Sequence, residues 1–261
     1  MLKQRVITAV VSLLVLGVVL FLLPATVARL LIAALFVAGA WEWGGFLGSR
    51  RVRAAFATLI AVLIAALWSL AGDAQLVDNV LRIALAWWFA ALVWMLFFPT
   101  RIPKPVGWVC GALVLVPAWA ALDRLYAGSP EFLVFALLIV WVADMGAFFV
   151  GKGFGRVKLA PKISPGKTWE GVLGGLTAVM LLAAAGSRVF GAEIAVLVPF
   201  CVAVAMLSVV GDLTVSMFKR TAGVKDSGTL FPGHGGVLDR IDSVTAAAPL
   251  FALALAWTGL R

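Results

Sequence analysis

The sequence predicts an all-α protein, a polytopic transmembrane helix bundle of about nine spans. The N-terminus is expected in the cytosol and the C-terminus outside. Three observations carry this reading. The chain is 64% hydrophobic and only 13% charged, against about 45–50% and 25% in a soluble domain. The apolar residues come in runs of about twenty, the length a helix needs to cross ~30 Å of hydrocarbon. The cations also alternate in side. Of the 21 Lys and Arg, only Arg29, Arg82, Arg124, Arg188 and Arg261 fall at outer ends when the N-terminus is placed inside, a strong positive-inside bias.

The elements follow in order. Lys3 and Arg5 lead into an uncharged run from Val6 to Leu23. A positive flank before an apolar core is also the pattern of a signal peptide. The run is long for one, and the cleavage candidate around Thr26, Val27 and Ala28 is weak. It is read as a retained first span, closed by a tight turn at Pro24. The second span is 25–47 and carries Glu42 between Trp41 and Trp43. The others are 54–71, 80–98, 106–122, 131–150, 170–190, 193–214 and 242–260. Two inside loops stand out by length, 151–169 and 215–241. Their Gly, Pro and Lys content predicts irregular backbone. No internal repeat interrupts the chain, so 1–261 reads as a single integral-membrane domain.

The net charge is +9. On a membrane chain this is loop charge that sets topology and meets anionic lipid or substrate. No basic-aromatic motif is visible, so no nucleic-acid partner is expected. Cys110 and Cys201 lie in apolar runs without metal-ligand spacing and read as packing residues.

The stretch from Ser216 to Ser243 concentrates what the rest of the chain avoids. It holds Lys219, Arg220, Lys225, Asp226, Asp239, Arg240, Asp242 and His234, the one histidine. Asp212 lies just before it, and Asp144 lies inside the sixth span. Ionisable groups in hydrocarbon are costly and usually face a partner or a wet cavity. Asp239 and Asp242, three apart, share a face if they are helical. Asp212, Asp239 and Asp242 at one membrane depth suggest a divalent cation, and oxygen ligands favour Mg²⁺ or Mn²⁺ over zinc. Glu42 is the competing carboxylate, and a bond to another helix or to the interface explains it as well.

In the other loop, Ser164-Pro165-Gly166-Lys167-Thr168 has the look of a phosphate cradle opening onto the seventh span, whose N-terminus favours an anion. It is not a Walker A loop, because Pro161 stands where that pattern needs Gly. Nor is 151–155 a dinucleotide fingerprint: Arg156 replaces the third Gly. His234, between glycines, is suited to a phosphate hydrogen bond. A cation, two phosphate-binding loops and a membrane cavity at the cytosolic face imply a nucleotide or pyrophosphate substrate meeting a lipid phosphate. Two other readings stay open: a transporter or channel for an organic anion, and a different nucleotide-dependent lipid enzyme such as a polyprenol kinase.

The charged stretch also reads S-x-x-K-R-x-x-x-x-K-D, then P-G-H-G-G-x-x-D-R-x-D, from Ser216 to Asp242. Upstream stand Asp144-x-Gly146-Ala147-x-x-x-Gly151 and Ser164-Pro165-x-Lys167-Thr168-x-Glu170-Gly171. Together these motifs resemble the phosphatidate cytidylyltransferase (CDP-diacylglycerol synthase) family, most closely over 140–243. One departure is Phe148, where the family's pattern has Tyr. The resemblance implies transfer of CMP from CTP to phosphatidate, giving CDP-diacylglycerol and pyrophosphate, with Mg²⁺. It implies a homodimer in the bacterial cytoplasmic membrane, with a site facing the cytosol. Carried over by position, Asp212 and Asp239 are metal ligands and, with Lys219, Arg220 and Lys225, the catalytic set. Ser164, Lys167, Thr168, Asp144, His234, Arg240 and Asp242 are the expected substrate-binding residues.

Overall fold

A computed structural model describes residues 2–230, 235–255 and 258. Among them are nine helices and one small hairpin: α1 (Leu2–Phe21), α2 (Ala25–Leu47), α3 (Arg50–Ser69), α4 (Ala74–Leu96), α5 (Lys104–Gly128), α6 (Pro130–Phe154), β1 (Lys158–Ala160), β2 (Ser164–Thr168), α7 (Trp169–Phe190), α8 (Ile194–Thr221) and α9 (Leu238–Ala254). Seven of these, α2 to α8, are long and apolar enough to cross a membrane. The protein is a polytopic helix bundle, as expected. The expected end of the ninth span at 260 lies outside the described residues.

Helix α9 is the centre. It packs against α8, α5, α4, α6 and α2, and nearly all its residues are buried. Its run Thr245-Ala246-Ala247-Ala248 is small enough to let those neighbours close in, which is how helices associate where lipid gives no hydrophobic drive. Large side chains such as Phe89, Leu96, Phe149 and Leu181 are exposed instead, as a lipid-facing perimeter requires.

The same logic joins α6 to α7. A Cβ on Gly175 would lie 2.6 Å from the Ala143 carbonyl oxygen, so only glycine permits this approach. The crossing fixes the end of α6 beside the start of α7, with the hairpin between them.

Two boundaries differ from expectation in ways that matter for the site. The eighth span was expected to end at 214, but α8 continues to Thr221. Ser216, Lys219 and Arg220 are therefore helical, not loop. Charge ends the hydrocarbon-spanning part of a helix without ending the helix; nothing breaks it before Gly223, which has φ +73°. The 151–169 loop is also more regular than expected. Residues 151–154 finish α6, and β1 pairs antiparallel with β2, Lys158 opposite Thr168 and Ala160 opposite Ser164. Ile163, 3% exposed, anchors the turn. Pro165 is tolerated because both strands of a two-stranded ribbon are edges.

At the far end of the bundle, charge is spent on packing. Arg29 donates to both carboxylate oxygens of Asp123, at 2.6 and 2.7 Å, and its guanidinium lies 4.8 Å from the centre of the Trp68 ring. Arg124 pairs with Asp78. Arg29 and Arg124 thus tie α2 to α5 and α5 to α4. Asp123→Ala is expected to cost about 1–3 kcal/mol, because it leaves a part-buried guanidinium without its carboxylate partner. A thermal melt of the detergent-solubilised protein should show the loss, while activity per folded molecule stays at the wild-type level.

Candidate active site

The site grows from one face of α8. Asp212 and Ser216 are one turn apart, and the Ser216 hydroxyl donates to Asp212 Oδ1 at 3.1 Å. Lys219 follows on the next turn. Helix α9 meets this face because Gly211 carries no side chain; a Cβ there would lie 2.6 Å from the Asp242 carbonyl oxygen. The first turns of α9 then present Asp239 and Asp242 together, as their spacing predicts. Lys219 Nζ lies 2.8 Å from Asp239 Oδ1 and 3.8 Å from Asp242 Oδ2. Its side chain is 10% exposed, so the two carboxylates hold a charge that water barely reaches.

The hairpin supplies the second wall. Thr168 ends β2 and caps α7, its hydroxyl accepting from the Gly171 amide at 3.1 Å. Lys167, one residue earlier, is thereby aimed at α8, and its Nζ lies 2.5 Å from Asp212 Oδ2. Across the α6–α7 crossing, Asp144 faces Lys167, Asp212 and Arg240. Asp144, Lys167, Asp212, Lys219, Asp239, Arg240 and Asp242 thus come from four elements to one end of the bundle.

Asp239 is the most heavily bonded of these. Oδ1 takes Lys219. Oδ2 accepts from the Ser227 amide at 2.8 Å, the Ser227 hydroxyl at 2.9 Å and the Gly236 amide at 2.9 Å. The last bond needs Gly235 at φ +80°, a conformation that glycine adopts without strain. Ser227 and Gly236, from the two described parts of the segment between α8 and α9, close on this carboxylate.

Other expected site residues are placed differently. Arg220 turns away to the hairpin: its Nε donates to the Ile163 carbonyl at 3.1 Å, and Nη1 to Val224 at 3.5 Å. It clamps β1–β2 against α8. Lys225 is exposed on the loop and forms no ion pair among the described residues. Ser164 lies within β2, and the Thr168 side chain is occupied as a helix cap. His234 lies outside the described residues, together with Phe231, Pro232 and Gly233. Phe148 is 61% exposed, packs on Phe149 and lies 5.8 Å below Lys152 Nζ. The ring that replaces the expected Tyr therefore faces out of the bundle.

Two groups that sequence reasoning left without a role belong here. Glu42, 7% exposed, accepts from the Ser227 hydroxyl at 2.7 Å and from the Val237 and Leu238 amides at 2.9 and 2.8 Å. Ser227 touches both Glu42 and Asp239. A carboxylate inside an apolar run was the available signal for Glu42. Nothing in the sequence pointed to Ser227.

A model of the cytidylyltransferase family matches residues 3–258, nearly the whole chain. The chain belongs to the cytidylyltransferase family. It is 45% identical to the phosphatidate cytidylyltransferase of Pseudomonas aeruginosa, over 98% of this chain and 97% of that one. It is 39% identical to the protein of that name in Haemophilus influenzae, over 96% and 97% of the two chains. The protein of that name in Brucella suis is 40% identical over 56% of each chain. Membership makes this a nucleotidyltransferase with an apolar multi-helix body.

The donor chemistry of this cytidylyltransferase cluster fits a hard cation, since every candidate ligand is a carboxylate or hydroxyl oxygen. Its present arrangement is lysine-neutralised. Asp212 faces Lys167 and Asp239 faces Lys219, and among the described residues no three acidic, His or Cys groups are gathered closely enough to ligate one ion.

Proposed function

We propose that this chain transfers CMP from CTP to phosphatidate, releasing pyrophosphate and forming CDP-diacylglycerol. The observation that carries the reading is the Lys167–Asp212 contact at 2.5 Å between hairpin and α8. It brings the Ser164–Thr168 motif and the Ser216–Asp242 motif into one centre inside a membrane bundle. Both substrates are anions, one of them a lipid, and the centre offers cations at the edge of an apolar body.

The reaction needs one bond made and one broken. A phosphate oxygen of phosphatidate bonds to the α-phosphorus of CTP, and the bond from that phosphorus to the bridging oxygen of the β-phosphate breaks. The leaving pyrophosphate keeps the electron pair. An anionic nucleophile needs no strong base, which suits a cluster without a Ser/His/Asp arrangement among the described residues. The work left to the protein is positioning and charge neutralisation. Lys167, 27% exposed, sits where its ammonium can pass from Asp212 to a phosphate oxygen. Lys219 fixes Asp239 and Asp242 in place. Lys225, exposed on the loop, would meet the triphosphate, and Arg240, exposed beside Asp144, would face it from α9. Arg220 holds the hairpin that carries Lys167. Mg²⁺, bound by Asp212 and Asp239 in this reading, would supply charge compensation for the triphosphate.

The same reading sets the orientation. Nine spans with the N-terminus in the cytosol put the centre on the cytosolic side of the bacterial membrane, where CTP is, and put the C-terminus outside. The lysines of the 151–169 segment support it by the positive-inside rule. Two copies are proposed to associate as a homodimer.

Purified protein with CTP, Mg²⁺ and phosphatidate vesicles is expected to release pyrophosphate, and to release none when the vesicles hold only neutral lipid. Anion uptake into proteoliposomes without pyrophosphate release would favour a transporter instead.

A further inference from the structure

We propose that Glu42 is a positioning residue, which staples the α8–α9 loop to α2 and through Ser227 sets Asp239 in its working place. The inference rests on the cytidylyltransferase reading of the site and adds to it a part supplied by a distant span.

The geometry is closed on all sides. Glu42 lies near the end of α2, almost 200 residues from the groups it holds: Val237 is separated from it by 195 positions. Its Oε1 takes the Val237 amide, and its Oε2 takes the Leu238 amide and the Ser227 hydroxyl. Val237 and Leu238 open α9, whose first amides have no partner within the helix. The glutamate therefore caps α9 from outside, where the helix dipole favours a negative group. No side chain of the chain's own N-cap position, Val237, can do this. Ser227 Oγ also lies 2.9 Å from Asp239 Oδ2. One hydroxyl thus links the α2 carboxylate to the α9 carboxylate.

Two glycines have been kept clear for it. A Cβ built on Gly228 or on Gly236 would strike the Glu42 carboxylate, and Gly236 is the last glycine of the Pro-Gly-His-Gly-Gly motif. Loop and glutamate are thus fitted to each other at five points: Ser227, Gly228, Gly236, Val237 and Leu238. A carboxylate whose role was only to plug a helix end would not need the loop wrapped over it. Here, releasing the loop also releases two of the donors to Asp239, the Ser227 amide and hydroxyl.

Glu42→Gln tests this with the shape kept. An amide has one acceptor oxygen where the carboxylate has two, so its NH₂ group must face a backbone N–H or the serine. If the loop is seated only part of the time, apparent affinity falls by the seated fraction. KM for CTP is expected to rise about tenfold or more, the loss expected for a charge-assisted hydrogen bond. Tm should fall only modestly, since one buried amide loses its acceptor while the bundle contacts of α2 are untouched. Trypsin cleavage after Lys225 in the ligand-free protein should speed up by a similar factor. Glu42→Asp, which keeps the charge but shortens the reach, should recover part of both losses. Gly228→Ala should copy the Glu42→Gln effects, and the double variant should be no worse than either single one, since both break the same staple.

Unchanged KM and unchanged cleavage in Glu42→Gln overturn the proposal. So does a loss of activity that only tracks loss of folded protein. Should the wild type itself form no CDP-lipid, the reaction assignment fails, and the cleavage rate still decides whether Glu42 seats the loop.

Discussion

Asp212→Asn is expected to reduce CMP transfer by about 10²–10³-fold, the cost of removing one charge-stabilising group from a preorganised site. The substitution is nearly isosteric: the asparagine oxygen can accept from Lys167 while its NH₂ group donates to the Ser216 hydroxyl, so helix α8 and its packing stay. What disappears is the negative charge at the junction of hairpin and α8. That charge orders the Lys167 ammonium and, in the proposed mechanism, is one of two ligands for the cation. The deficit should therefore fall on kcat rather than on expression or melting temperature. Steady-state kinetics beside a melt separates the two, and near-normal kcat would remove Asp212 from the machinery.

Lys219→Met is expected to damage fold and activity together. The side chain is 10% exposed and stands between Asp239 and Asp242, themselves 8% and 12% exposed at their side chains. Methionine keeps the apolar stem but leaves two buried carboxylates facing each other without a counter-charge. Breaking a buried pair this way costs about 3–5 kcal/mol. The α8–α9 crossing, where nearly all of α9 is buried, would bear it. A clear drop in melting temperature is predicted, with transfer lost even at temperatures where the protein is folded. Lys219→Arg should recover stability better than activity, because the guanidinium can pair but is larger and planar. An unchanged melt for Lys219→Met would mean that the carboxylates find another partner.

The sequence carried the bundle well, because hydrocarbon leaves only one way to satisfy a backbone. Seven of the nine expected spans coincide with helices long and apolar enough to cross a membrane, and the described parts of the motifs that marked 140–243 as the working region converge on one end. What was not legible has specific causes. Lys219 and Arg220 were assigned to a loop, since charge marks where hydrocarbon ends, not where a helix ends. The β1–β2 hairpin was hidden by Pro165 and Gly166, which argue against a strand in a wide sheet but not in a two-stranded ribbon. Arg220 was grouped with the phosphate-binding cations by composition alone; only coordinates show it turned to the Ile163 carbonyl. Ser227 was invisible because its importance lies in two partners, one of them 185 residues distant. Glu42 was visible as an anomaly, a carboxylate in an apolar run, but the sequence offered no way to tell which distant amides it would meet.

The central claim is nucleotidyl transfer at the Asp212 centre, and one measurement meets it directly. CTP labelled with ³²P at the α-phosphate, in parallel with CTP labelled at the γ-phosphate, is incubated with the purified protein, Mg²⁺ and phosphatidate vesicles. The lipid is then extracted and counted. The account predicts α-label in the lipid, no γ-label there, and neither with Asp212→Asn. Label from the γ-phosphate in the lipid, or full α-transfer by the Asp212 variant, would contradict it.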